Sequence, residues 1–405
     1  MCSADYAVWK HNTDTMADKT TLVFTGDIGF DKYMKDKWND DGLLDDGIRR
    51  FITDTDHLIV NVEGPLYAGA KEAGKEGAAA LVHSMSPGVR HFLSGINADI
   101  WNICNNHIMD AKADGIISTI QYAKECSALT LGAGMNIDEA SKPVMIEGAG
   151  GIGMIGVGYQ RACRKADAST PGCFSWSDLD LIRDRIRTIK RSCRWCIVVA
   201  HAGEEFTALP SPYTRDRYME YLNMGADIVI AHHPHVVNNY ELTGSKAVFY
   251  SLGNFIFDTD YQRSQYGTQY GILLKLSFTD KDYSFEPMAI EVDRVRGKIV
   301  GCDIPPIFTD VSADEYEKLK GLAAKVFIEN TKRQLKYMDP QRFENASEDD
   351  FVKNFYEPMR SGRVPGETLD MQVMYPLSQT ADDNIIDSSS LREVVKYMKN
   401  IIESR

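Results

Sequence analysis

Five short apolar runs, each closed or followed by a carboxylate, an amide or imidazoles, constrain this chain more than any other feature of its sequence. They are Thr21 to Asp27 (TLVFTGD), Leu58 to Glu63 (LIVNVE), Asp99 to Cys104 (DIWNIC), Cys196 to His201 (CIVVAH) and Asp227 to His232 (DIVIAH). Apolar on both faces, most of them read as strands of a sheet covered on each side. Helical periodicity falls between them, over Pro87 to Ser94, Ala111 to Glu125, Ser177 to Ile189 and Thr214 to Met224. That alternation predicts an α/β layered domain. Two later runs, Ala247 to Leu252 and Gly271 to Phe278, alternate more and read as candidates for antiparallel strands.

The β-rich character ends near Pro305, so we expect a domain over 20–300 and a helical extension over 305–405 packed on it. Ser312 and Glu315 have capping-box spacing ahead of an apolar stripe of Tyr316, Leu319, Leu322, Ala323, Val326 and Phe327. Ser390 and Glu393 repeat the signal before a final helix. The stretch from Gly69 to Ala80, rich in Gly, Ala, Lys and Glu, reads as a surface loop.

With 405 residues, burial of a large core is not limiting. A net charge of -13 argues against a nucleic-acid surface, which needs clustered Lys and Arg. Phosphate chemistry would then need a metal or local cations. No apolar run approaches the ~20 residues of a membrane-spanning helix, and acidic residues interrupt the first twenty, so the expected location is cytoplasmic, with Cys2 as the remnant of a processed lipoprotein start the alternative. Eight dispersed cysteines do not form a disulfide framework. Cys193 and Cys196 have zinc spacing but lack a matching second pair, and they read as structural thiols.

The carboxyl ends of strands in α/β sheets gather around one crevice, so groups distant in sequence converge there. Asp27 and Glu63 close two runs, Asn106 and His107 follow the third, His201 closes the fourth, and His232, His233 and His235 close or follow the fifth. Carboxylates, imidazoles and an amide oxygen together suit divalent Mn, Fe or Zn, and the absence of Cys argues against a closed structural zinc site. A carboxylate can bridge two ions ~3.5 to 4 Å apart, which clamp the attacking and leaving oxygens of an in-line displacement. Glu63 is the natural bridge, and a histidine outside the metal shell would protonate the leaving group.

At these residues the chain resembles the calcineurin-like metallophosphoesterase superfamily, and more closely its CapA or PgsA-type branch associated with capsule and poly-γ-glutamate synthesis in bacteria. The resemblance rests on six ordered blocks between Thr21 and Phe278: Thr25-Gly26-Asp27, Asn61 to Leu66, Asn105-Asn106-His107 with Asp110, His201 to Glu205, Gly225 to Val236, and Tyr250 to Asp258. It implies a four-layer αββα sandwich holding two divalent ions. It also implies Asp27 and His235 on the first ion, Glu63 as bridge, Asn106, His201 and His233 on the second, and His107 as proton donor. The superfamily's Asp-x-His is Asp27-Ile28-Gly29 here, so the first ion lacks a ligand. By motif order His83, Glu204 and Glu205 lie near the crevice as candidate substrate contacts, and His232 either backs the ligands or exchanges roles with His233.

The function expected is a metal-dependent hydrolase acting on an anionic small-molecule or polymer substrate, through a phosphate ester or related bond in a capsule, poly-γ-glutamate or cell-envelope pathway. The alternative is a non-catalytic metal-binding component of such an assembly. Amide hydrolysis shares the same ligands.

Overall fold

The computed structural model describes residues 7–9, 19–69, 83–159, 163–338 and 340–347. The final helix expected at Ser390, nearly all of the Gly69 to Ala80 loop, and Cys2 lie outside the described residues.

The apolar runs form two packed sheets. In one, Thr20–Gly29, His57–Val62, Ala98–Asn102 and Leu129–Leu131 run parallel in that order. In the other, Ile152–Gly158, Trp195–His201, Ile228–His232 and Lys246–Phe249 do the same. His57–Val62, Trp195–His201 and Ile228–His232 are buried at every position, as runs without polar alternation require. The antiparallel expectation holds for Tyr270–Phe278, which pairs antiparallel with both Thr20–Gly29 and Tyr283–Asp293. It needs correction for Lys246–Phe249, which lies parallel to Ile228–His232 and antiparallel only to Tyr240–Thr243.

Between the sheets lies one apolar layer, including Phe24, Ile59 and Ile100 from one and Met154, Ile197, Val199 and Ile230 from the other. Helices Asp46–Thr53, Val89–Gly95 and Lys112–Glu125 cover the first sheet's outer face. Leu179–Ser192 and Pro212–Met224 cover the second's. Helices, two sheets and helices thus form a four-layer αββα sandwich.

The helix Ala313–Met338 follows the sandwich and carries the expected capping box: Ser312 N donates to Glu315 Oε2 at 2.9 Å and Glu315 N to Ser312 Oγ at 3.4 Å. Its Tyr316, Leu319, Leu322, Ala323 and Val326 join the layer between the sheets. Burying each such large apolar side chain stabilises by about 1.5–3 kcal/mol, which fixes the helix to the edge of the core. No helix among the described residues is long and apolar enough to cross a membrane. The seven described cysteines are free thiols, and Cys104, Cys163, Cys173 and Cys196 are buried.

Candidate metal centre

Parallel strands in both sheets deliver their carboxyl ends to one place. Asp27 and Glu63, both 0% exposed, come from the first sheet, and His201, also 0% exposed, ends a strand of the second. The next strand of that sheet, Ile228–His232, runs into the turn His233-Pro234-His235, where His233 has φ 97° and His235 φ 56°. Non-glycine residues rarely adopt such left-handed values, and they persist only where the surroundings enforce them. Here the enforcement is visible: His233 N donates to Asp27 Oδ2 at 3.4 Å, and His235 Nδ1 lies 3.0 Å from Asn254 Oδ1 and 3.2 Å from Asp27 Oδ2.

Two ligand triads result, Asp27/Glu63/His235 and Glu63/His201/His233, and within each the ligand atoms all lie within 4.8 Å of one another. Glu63 belongs to both. Its Oε1 stands 3.4 Å from His235 Nε2 and 3.9 Å from His201 Nε2, yet both its oxygens, although buried, lack any hydrogen-bond partner. His233 Nδ1 is buried and unpartnered too. Buried polar atoms are normally satisfied, so an orphaned carboxylate facing imidazole nitrogens fits a cation.

The electrostatics agree. Burial alone would raise the Glu63 carboxyl, but the field of His235, then of His201, holds it well below the usual carboxylate range. Burial pushes His201 and His233 towards the neutral imidazole that can ligate a metal. His235 goes the other way: burial is outweighed by Glu63 and Asp27, which push its pKa well above the ordinary imidazole value, as two buried carboxylates draw positive charge to that spot.

Asn106 reaches the same place, its Oδ1 2.9 Å from His201 Nε2. His107 stands beside it with Nδ1 2.8 Å from Asp110 Oδ2, a contact that fixes the ring and leaves Nε2 for other work. His83 packs edge-on against His107 with centroids 4.2 Å apart, and is held by Asp31 at 3.0 Å and by a 2.7 Å bond from its backbone N to Asp110 Oδ2. Glu205 lies close enough to act on the charge of His233. Glu204 and His232 each have protein partners. Glu204 accepts from Ser211 N at 3.0 Å and Thr214 Oγ1 at 2.7 Å, bracing the start of the helix Pro212–Met224. His232 places Nε2 2.8 Å from the carbonyl oxygen of Thr25 and so ties the two sheets together.

Several residues of the centre were not singled out from sequence. Asn61 donates to Asp27 Oδ1 at 2.8 Å and is itself held by Asn102 at 2.7 Å. Asn254 orients His235. Asp258, fully buried, gathers Arg263 at 2.6 Å and Arg294 at 3.2 Å. An amide inside a buried apolar strand, as in LIVNVE, was the available signal for Asn61.

Residues 21–259 match the family described as bacterial capsule synthesis protein PGA_cap. The chain is 26% identical over 274 residues to the capsule biosynthesis protein CapA of Bacillus anthracis, a stretch covering 64% of this chain and 66% of the relative. It is 27% identical over 274 residues to the PGA biosynthesis protein CapA of Bacillus subtilis, covering 64% and 70%. The chain thus spans about two thirds of the length of these relatives. Among solved structures, a candidate 5'-nucleotidase of Staphylococcus aureus crystallised with alpha-ketoglutarate is 14% identical, with 75% of this chain and 58% of that one covered at a TM-score of 0.41.

Proposed function

The chain belongs to the bacterial capsule synthesis protein family PGA_cap, and from that premise we propose that it is a metal-dependent hydrolase cleaving a phosphate ester or related bond in a capsule, poly-γ-glutamate or cell-envelope pathway. The observation that carries this reading is Glu63, buried, without a hydrogen-bond partner and shared by both ligand triads. In the proposal Asp27, Glu63 and His235 hold one divalent ion, and Glu63, His201, His233 and Asn106 hold a second, with Mn, Fe or Zn the metals such donors suit. When bound, such ions supply Lewis acidity and a nucleophile at neutral pH.

The rest falls to the chain. Asn61 holds Asp27, and Asn254 holds His235, so the two ligands are set before substrate arrives. His107, oriented by Asp110 through Nδ1, gives a proton from Nε2 to the leaving oxygen. His83, against its ring, restricts its movement. The division into a 20–300 catalytic domain and a 305–405 extension belongs to the same proposal, as does a cytoplasmic location, which cell fractionation tests.

The test is to load the full-length protein with Mn(II) and assay a phosphodiester such as bis(4-nitrophenyl) phosphate. Turnover abolished by Glu63→Ala and by His233→Ala supports the reading. Turnover indifferent to both removes this centre from the mechanism, and metal bound without turnover would leave the non-catalytic alternative.

A further inference from the structure

Three of the nine non-glycine residues with left-handed φ among the described residues meet at the centre. Two are His233 and His235, and the third is Phe206, at φ 59°, in the loop that follows His201. A bulky side chain keeps such a value only where its surroundings impose it. Here the two loops are clasped together: Ala202 N donates to the carbonyl oxygen of His232 at 3.1 Å, and Phe206 N to that of Pro234 at 2.8 Å. A third hold comes from beyond the family match. Asn330 of the helix Ala313–Met338, only 6% exposed, donates its side-chain amide to the carbonyl oxygen of Glu205.

The result is an aromatic ring laid directly on a proposed ligand. Phe206 stacks on His235 with centroids 5.8 Å apart and planes at 23°, and Phe257 meets the same imidazole with planes at 31°. Tyr261 closes edge-on against Phe206 at 5.3 Å. Asn254 and Asp27 hold His235 at Nδ1, but a ring held at one nitrogen can still tip about that point. Tipping would swing Nε2 away from Glu63 Oε1, 3.4 Å distant. Flat aromatic neighbours oppose that motion.

We propose that Phe206 is a positioning residue that seats His235 for the first ion, and that the helix Ala313–Met338 holds it to that task through Asn330; the proposal rests on the two-ion reading above. The triad on that side is Asp27, Glu63 and His235, so one displaced imidazole is a large loss. A ligand already in place when the ion arrives gives up less freedom on binding.

Calorimetric Mn(II) titration of the full chain tests this without recourse to turnover, with His235→Ala marking which ion is the first. Phe206→Leu keeps the apolar bulk and loses the flat face. In it we expect the first ion's Kd to rise about tenfold, the lower end of what losing a ligand's outer support costs, while the second ion's Kd stays as it was. Phe206→Tyr should recover most of the loss. Asn330→Ala should weaken the same ion by a smaller factor, and it decides alone if Phe206→Leu does not fold. A first ion bound as in wild type by the folded variants overturns the inference, as does equal weakening of both ions, which marks a purely structural contact. If wild-type protein binds two ions but hydrolyses nothing, the positioning role stands and the hydrolase reading falls. If wild-type protein takes up fewer than two ions, the inference is overturned.

Discussion

The ring of Phe257 occupies the space that a side chain at Gly29 would need: a Cβ built on Gly29 would lie 2.2 Å from Phe257 Cε2. The same ring packs on His235 with centroids 4.9 Å apart. The histidine that the resemblance read from the sequence motifs would place here therefore has no room, because an aromatic ring packed against His235 fills the space. Introducing a histidine at Gly29 alone should fail. Gly29→His should lower the Tm by several degrees, because overpacking a filled core costs about 1–3 kcal/mol, and should not raise metal content. Combined with Phe257→Ala it should regain stability and tighten the first ion, read by calorimetric Mn(II) titration. A stable single variant with tighter binding would show that the ring yields easily.

Glu63 serves both triads, whereas His235 and His233 serve one each. Glu63→Gln should therefore remove both ions, while His235→Ala should spare the His201/His233 side. Elemental analysis after dialysis against a slight excess of Mn(II) checks this. Equal losses in the two variants would mean that the ions bind only as a pair.

A proton donor matters in proportion to the basicity of what leaves. With 4-nitrophenolate leaving, which needs little protonation, His107→Ala should cost little. With an unactivated alkyl phosphodiester it should cost about 10² to 10⁴ in kcat. Asp110→Asn should follow the same dependence with a smaller loss, since it acts through the His107 ring. A loss independent of the leaving group would deny His107 the acid's role.

What was legible in the sequence follows from what packing leaves local. LIVNVE, CIVVAH and DIVIAH announce buried strands because apolar residues dominate both faces, and their terminal polar residues point to a crevice because strand ends gather there. Ile152–Gly158 was missed, since IGMIGVG lacks a β-branched run. Its Gly153 is explained only by the helix above it, where a Cβ would meet Ile189 Cγ2 at 2.4 Å. The direction of Lys246–Phe249 depends on its partner strand, not on its own alternation. Glu204 and His232 sit in the right motifs but answer to Ser211, Thr214 and Thr25, partners that chain order does not reveal.

Glu204 offers a test of stability against pH. Parts of the residue remain accessible, but its carboxylate is enclosed by Ser211 and Thr214, and burial raises its pKa above the 4.5 of a free glutamate, the hydrogen bonds only partly opposing. A carboxyl raised in the fold prefers its neutral form there, so the folded state holds more protons than the unfolded chain between the two pKa values. Stability from this group is complete below the unfolded value and declines as pH climbs through the folded one. Glu204→Gln is neutral at every pH and can still accept from Ser211 N. Urea midpoints of variant and wild type should therefore nearly coincide at pH 4.5, with the variant gaining ground as pH is raised to 8. Since all other titrating groups cancel in the comparison, parallel curves over that range would mean that Glu204 folds as an ordinary ionised helix brace.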